Sequence, residues 1–213
     1  MKRVFLVVTL VAGAVAPAAA QWAGMPVWNS PSGGTGITIS GDYGKPSADA
    51  YGKGNAFGAR GTVGLGSLSL TAGLASHKAS GDTNSQISYG ATAAFRVIGG
   101  SLLPVNVNLL AGGSGASKSG PLSSFTTIVA GGGVSVSLPT PGLSIEPYLS
   151  LTNRWHKVTG SPSNSNIGWT IGANLGFGML GAHIAYDSES FGSGVTGSVI
   201  GLGVHVGLNV PGL

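Results

Sequence analysis

His77, His156, His183 and His205 have side chains suited to general acid–base work, and Asp42, Glu146 and Asp187 are acids that could orient an imidazole. Any of many serines would complete a nucleophilic triad of a common type. The four histidines are too dispersed along the chain to form a metal-ligand motif, and satisfied structural polar groups are the expected role for them. Zero cysteines exclude thiol chemistry, Cys-ligated metals and a disulfide scaffold. Arg60, Arg96 and Arg154 complete the charges that lie outside polar connections. Arg60 is the sharpest case, sitting alone in a stretch of glycine, small residues and aliphatics from Asn55 to His77. No catalytic residue, cofactor or metal is assigned, and what these groups do depends on the elements that bring them together.

Those elements belong to an unusual chain. Only 8% of its residues are charged, and 39 of 213 are glycine. A soluble domain carries about 25% charge, and a disordered one needs high polarity. This chain should fold and bury much apolar surface. Met1-Lys2-Arg3, an apolar run from Val4 to Val15 and Ala18-Ala19-Ala20 read as a signal peptide over residues 1–20, with one domain over 21–213. The run breaks at Pro17, short of the about 20 residues of a spanning helix. Removal of Lys2 and Arg3 lowers the formal net charge from +4 to +2. The remaining lysines are scattered singly, so no nucleic-acid partner is expected.

Period-two alternation runs through the mature chain, whereas helical spacing does not persist for three turns. Ten strands are predicted, at about 35–44, 56–66, 68–77, 86–98, 102–113, 124–138, 143–156, 166–178, 180–188 and 198–210. Short connections such as "GSL", "IGGS" and "GML" alternate with long polar ones such as "KASGDTNSQ" and "KVTGSPSNSN". Strands of this length match a tilted bilayer crossing, which needs about 9–11 residues.

Phasing each strand on its aliphatics separates two faces. Leu68, Leu70, Ala72 and Leu74 oppose Ser69, Thr71, Gly73 and Ala75; Ile200, Leu202, Val204 and Val206 oppose Gly201, Gly203, His205 and Gly207. Asp42, Arg60, Arg96, Glu146, Arg154 and Asp187 all fall opposite the aliphatics, a coincidence of about 1 in 64 for random phase. All four histidines share that face. A water-facing surface would carry Lys and Glu freely, but this one carries Gly, Ser, Thr and Ala. The aliphatic face therefore meets lipid, and the charged one lines a lumen, because Arg60 facing lipid at mid-depth would cost about 2–4 kcal/mol. Three arginines balance three acids there, so internal ion pairs are expected. Tyr43, Phe57, Tyr89, Trp155, Trp169 and Tyr186 take the aliphatic phase beside long connections, as an interfacial girdle does. Phe125 is out of phase with Ile128, and Pro147 lacks a donor; a bulge or an inward Phe125, and a bulge at Pro147, are predicted.

The "GITISGDYG" opening strand, the "AFGARGTVGLGSLSLTAGLAS" hairpin, the "IEPYLSL" strand and the alternating end "GLGVHVGLNV" resemble the small glycine-rich outer-membrane β-barrel proteins of Gram-negative bacteria. The resemblance implies an all-β, antiparallel up-and-down transmembrane barrel of ten strands, eight being the alternative, with short periplasmic turns and longer outer loops. It implies the bilayer and the barrel-assembly machinery as partners and the outer membrane as location. The end "NVPGL" departs from the terminal aromatic usual in such proteins. Omptin-type proteases are ten-stranded barrels with Asp and His near the outer rim, but their motif residues have no match here, and no activity is expected. A structural or narrow-pore barrel for small solutes is the first functional expectation; a binding barrel acting through its outer loops, or a secreted soluble or self-assembling β-protein, is the alternative.

Overall fold

The computed structural model describes residues 22–47, 52–100, 103–120, 122–191 and 194–208. The signal-peptide assignment and the terminal "NVPGL" lie outside them. The strands are β1 (Gly34–Pro46), β2 (Asn55–Gly66), β3 (Leu68–Lys78), β4 (Gln86–Gly100), β5 (Leu103–Ala116), β6 (Phe125–Val136), β7 (Leu138–Thr140), β8 (Leu143–Val158), β9 (Asn164–Phe177), β10 (Leu180–Ser190) and β11 (Thr196–Leu208). Each pairs antiparallel with its neighbour in chain order, except that β6 pairs with β8 and the three-residue β7 continues the same wall along β8. β1 closes on β11, from Ile37 opposite Leu208 to Pro46 opposite Val199. Ten strands thus complete a cylinder with no free edge.

The cylinder is inverted relative to a soluble protein. Among the described residues 22 polar or charged side chains are buried against 11 apolar ones. Ile39, Leu74, Leu109, Leu151, Ile167 and Val204 stand exposed on the outer wall. Such a surface is stable only against hydrocarbon.

Of two local expectations, the one at Phe125 is met in its inward form and the one at Pro147 changes. Phe125 pairs with Ala116 in an unshifted β5–β6 ladder, so there is no bulge at Thr126, and Phe125 shares the inward phase of Thr127 and Val129. Pro147 sits in register opposite Ala173. On its other side the ladder stops at Ser135–Tyr148 and resumes at Leu138–Ile145 in the same register. The missing donor is met by interrupting the ladder, not by a bulge. The irregularities that do occur lie in β4–β5, around Ile98, where Gly99 and Gly100 take φ of 126° and 134°.

Candidate functional site in the lumen

Residues 22–33, left without a strand by their lack of alternation, run inside the cylinder. The segment opens with a turn in which the Met25 amide donates to the Trp22 carbonyl (3.0 Å), with Gly24 at φ 72°. This turn lies toward the long connections, where the Ala23 amide donates to Ser88 Oγ (2.9 Å). A second turn, Gly33 amide to Ser30 carbonyl (3.0 Å), sits beside the short turn at Gly66 and leads into β1. Pro26 and Pro31 suit a chain with no ladder partner, because neither has an amide donor to leave unpaired.

The wall is built to receive this segment. Val27 packs on Leu110 and Val129; Trp22 and Met25 pack on Ala56 and Ala75. The Val27 amide donates to Asp187 (3.2 Å). Asn29 donates to Asn108 (3.1 Å) and Ser150 (2.9 Å), and its carbonyl oxygen accepts from Asn174 (3.1 Å). Glu146 accepts from Ser30 Oγ and the Ser32 amide (2.8 Å each), from Ser135 (2.7 Å) and from Asn174 (3.1 Å). Arg96 donates to the Ser32 carbonyl. Some glycines of the inner face, Gly44, Gly73, Gly133 and Gly201 among them, make room for the segment. A Cβ on Gly201 would stand 2.5 Å from Pro26 Cγ and 2.7 Å from the Trp28 ring. An eight-stranded barrel is filled by its own side chains; ten strands faced with glycine hold an extra length of chain.

Two ionic clusters cross the lumen. Arg154, fully buried, donates to both oxygens of Asp187 (2.7 and 2.8 Å) and to Glu189 (3.2 Å). Glu189 also meets His156 (2.5 Å) and Asn166 (2.9 Å). Closer to the short turns, Arg60 pairs with Asp42 (2.9 Å) and lies 5.1 Å from the Trp28 ring centroid. His183 reaches Asp42 (2.6 Å) by leaning over Gly203, and its Nδ1 is 3.3 Å from that of His205, which leans over Gly181. Alanine at 203 would place its Cβ on the His183 ring. Gly203→Ala is therefore expected to cost about 1–3 kcal/mol by overpacking, against no more than about 0.5 kcal/mol for outward Gly61→Ala, whose Cβ meets open space. Urea unfolding midpoints followed by heat-modifiable gel migration check the contrast.

The eight lumen residues proposed from sequence thus divide three ways. Arg154 and Asp187 form one cluster; Asp42, Arg60, His183 and His205 form the other; Arg96 and Glu146 grip the segment and not each other. Glu189 was missed, because β10 was predicted to end at residue 188; it shares the phase of Asp187, which was the available signal. Thr127, His156 and Glu189 are linked as hydroxyl, imidazole and carboxylate (2.9 and 2.5 Å), but Thr127 is 1% exposed and lines no described cavity. Neither His183 nor His205 hydrogen-bonds a hydroxyl among the described residues. The segment itself was missed for want of periodicity, although Trp22, Met25, Val27 and Trp28 are apolar residues with no strand to belong to.

No protein-family model matches the chain, and no curated protein matches it. Among solved structures, the β-domain of the Bordetella autotransporter BrkA is similar with a TM-score of 0.55 at 9% identity, over 81% of this chain and 99% of that domain. The chain has the fold of an outer-membrane β-barrel. Neisserial surface protein A (TM-score 0.42, 12% identity, 81% of this chain and 96% of that one) and the N-terminal β-barrel domain of Pseudomonas aeruginosa OprF (0.37, 12%, 82% and 99%) are more distant. The six aromatics expected as a girdle all lie on the outer wall of this barrel. Tyr43 packs on Phe57 at 5.3 Å and Trp169 on Tyr186 at 5.4 Å, ring centroid to centroid, and Tyr89 and Trp155 stand exposed.

Proposed function

We propose that this outer-membrane barrel is a structural element whose lumen is held shut by its own residues 22–33, and that it passes small solutes only when that segment moves. Its long connections face outward, its short turns face the periplasm, and it performs no catalysis. The observation that carries the reading is the continuous set of wall contacts along the segment, from Ser88 at one end to Glu146 and Arg96 at the other. Two details favour a segment that can move. The indole N–H groups of Trp22 and Trp28 are buried with no partner among the described residues, and an unmet donor costs about 1–3 kcal/mol. Planar-bilayer recording of the refolded full chain tests the reading. Electrically silent membranes, with insertion verified by protease protection, are expected; sustained unit conductance steps from the unaltered chain would overturn it.

A further inference from the structure

Segment 22–33 touches both sides of the lumen, through Ser88, Arg96, Ala56 and Ala75 on β2 to β4 as well as through the opposite wall, but it leaves different polar groups unused on each. Side chains of β5, β8, β9 and β10 are spent on segment 22–33, as Asn108, Ser150, Glu146, Asn174 and Asp187 show. A cavity of about 710 Å³ extends from Trp28 and Arg60 to the short-turn end, bordered by β1 to β4 on one side and by Asn106, Glu146 and Asn174 of the wall that grips the segment on the other. The hydroxyls of Thr38, Ser40, Ser69 and Thr92 line it and make no hydrogen bond within the protein among the described residues. Ser40 is only 4% exposed. The three charged side chains that line the cavity, Arg60, Arg96 and Glu146, differ in how they are met. Glu146 is met by four donors, whereas Arg96 donates to one backbone carbonyl and meets no carboxylate among the described residues. Arg60 is already neutralised by Asp42.

We propose that this cavity binds a small polyhydroxylated anion, a sugar phosphate or sugar acid, with its anionic group on Arg96 and its hydroxyls on Thr38, Ser40, Ser69 and Thr92. The volume lies within the about 300–1,000 Å³ of small-molecule sites. An anion gives Arg96 an acceptor of opposite charge, stronger than the neutral carbonyl it has. Sugar hydroxyls would satisfy half-buried groups that otherwise lack partners. The inference rests on the preceding reading for the placement of segment 22–33, because Trp28, Ser30 and Ser32 line part of the cavity; it does not require that the segment seal the tube.

Isothermal titration of the detergent-solubilised full chain tests it, with glucose 6-phosphate, gluconate, glucose and inorganic phosphate as probes. The first two are expected to bind at least tenfold more tightly than glucose or phosphate. Arg96→Gln should weaken both at least tenfold. Ser40→Ala with Thr92→Val, which touches no contact of segment 22–33, should weaken glucose 6-phosphate and leave inorganic phosphate unchanged, and Lys118→Gln should change nothing. Absence of binding, equal binding by Arg96→Gln, or equal loss in Lys118→Gln overturns the site. Bilayer recording of the same preparation separates the two readings. Binding together with conductance retains the site and removes the plug; silence without binding does the reverse.

Discussion

Deletion of residues 22–33 is expected to convert an electrically silent barrel into one with stable unit conductance, the largest functional change available in this molecule. The segment contributes its own bulk and also holds side chains of β5, β8 and β9 against it through Asn29 and Ser30. The strand ladders do not include it, so the cylinder closes without it. A full-length companion guards against a shortened chain that assembles badly. Gly201→Leu places a branched side chain where Pro26 and Trp28 lie, 2.5 and 2.7 Å from the first added carbon, and excludes the segment while leaving every ladder hydrogen bond in place. Both variants should conduct, and Gly61→Leu on the outer wall should not. Silence in both the deletion and Gly201→Leu, with insertion confirmed, would mean that the side chains of the wall, above all the Arg154 cluster, close the tube on their own.

The second large effect concerns stability. Arg154→Leu is expected to lower unfolding free energy by about 3–5 kcal/mol, because it leaves Asp187 and Glu189 buried with their guanidinium partner gone. Arg154 accepts no substitute of its own charge either. Lysine is a point charge and cannot reproduce a fork that meets both oxygens of Asp187, so Arg154→Lys should fall between wild type and leucine. Asp187→Asn in the Arg154→Leu background should recover part of the loss by removing one uncompensated charge. Urea titration followed by heat-modifiable migration measures all three, and a midpoint for Arg154→Leu equal to wild type would show that solvent reaches the cluster and screens it.

Arg154 also shows how far sequence reasoning reaches. Its phase alone places it on the inner face, because side chains alternate along a strand. Its partner follows from the register of β8, β9 and β10 together, which depends on the stagger of the closed barrel. The same holds for Asp42 and His183, whose strands are neighbours only through the β1–β11 closure and β10. Pro147 was legible as a local problem but not in its solution, since the interruption lies in the partner wall.

By itself the sequence determined the strands, their inside-out polarity, the alternation of short and long connections and the outward aromatics. Each of these is local, set by period-two patterning and turn chemistry within about a dozen residues. Tertiary structure alone decided what fills the lumen and which charges meet. The hydrogen bonds from residues 22–33 to the wall join positions 64 to 160 apart in the chain, and no periodicity in the segment announces them. A glycine on the inner face reads from sequence as empty space, and only the closed cylinder shows that Pro26, Trp28 and the histidine rings occupy it.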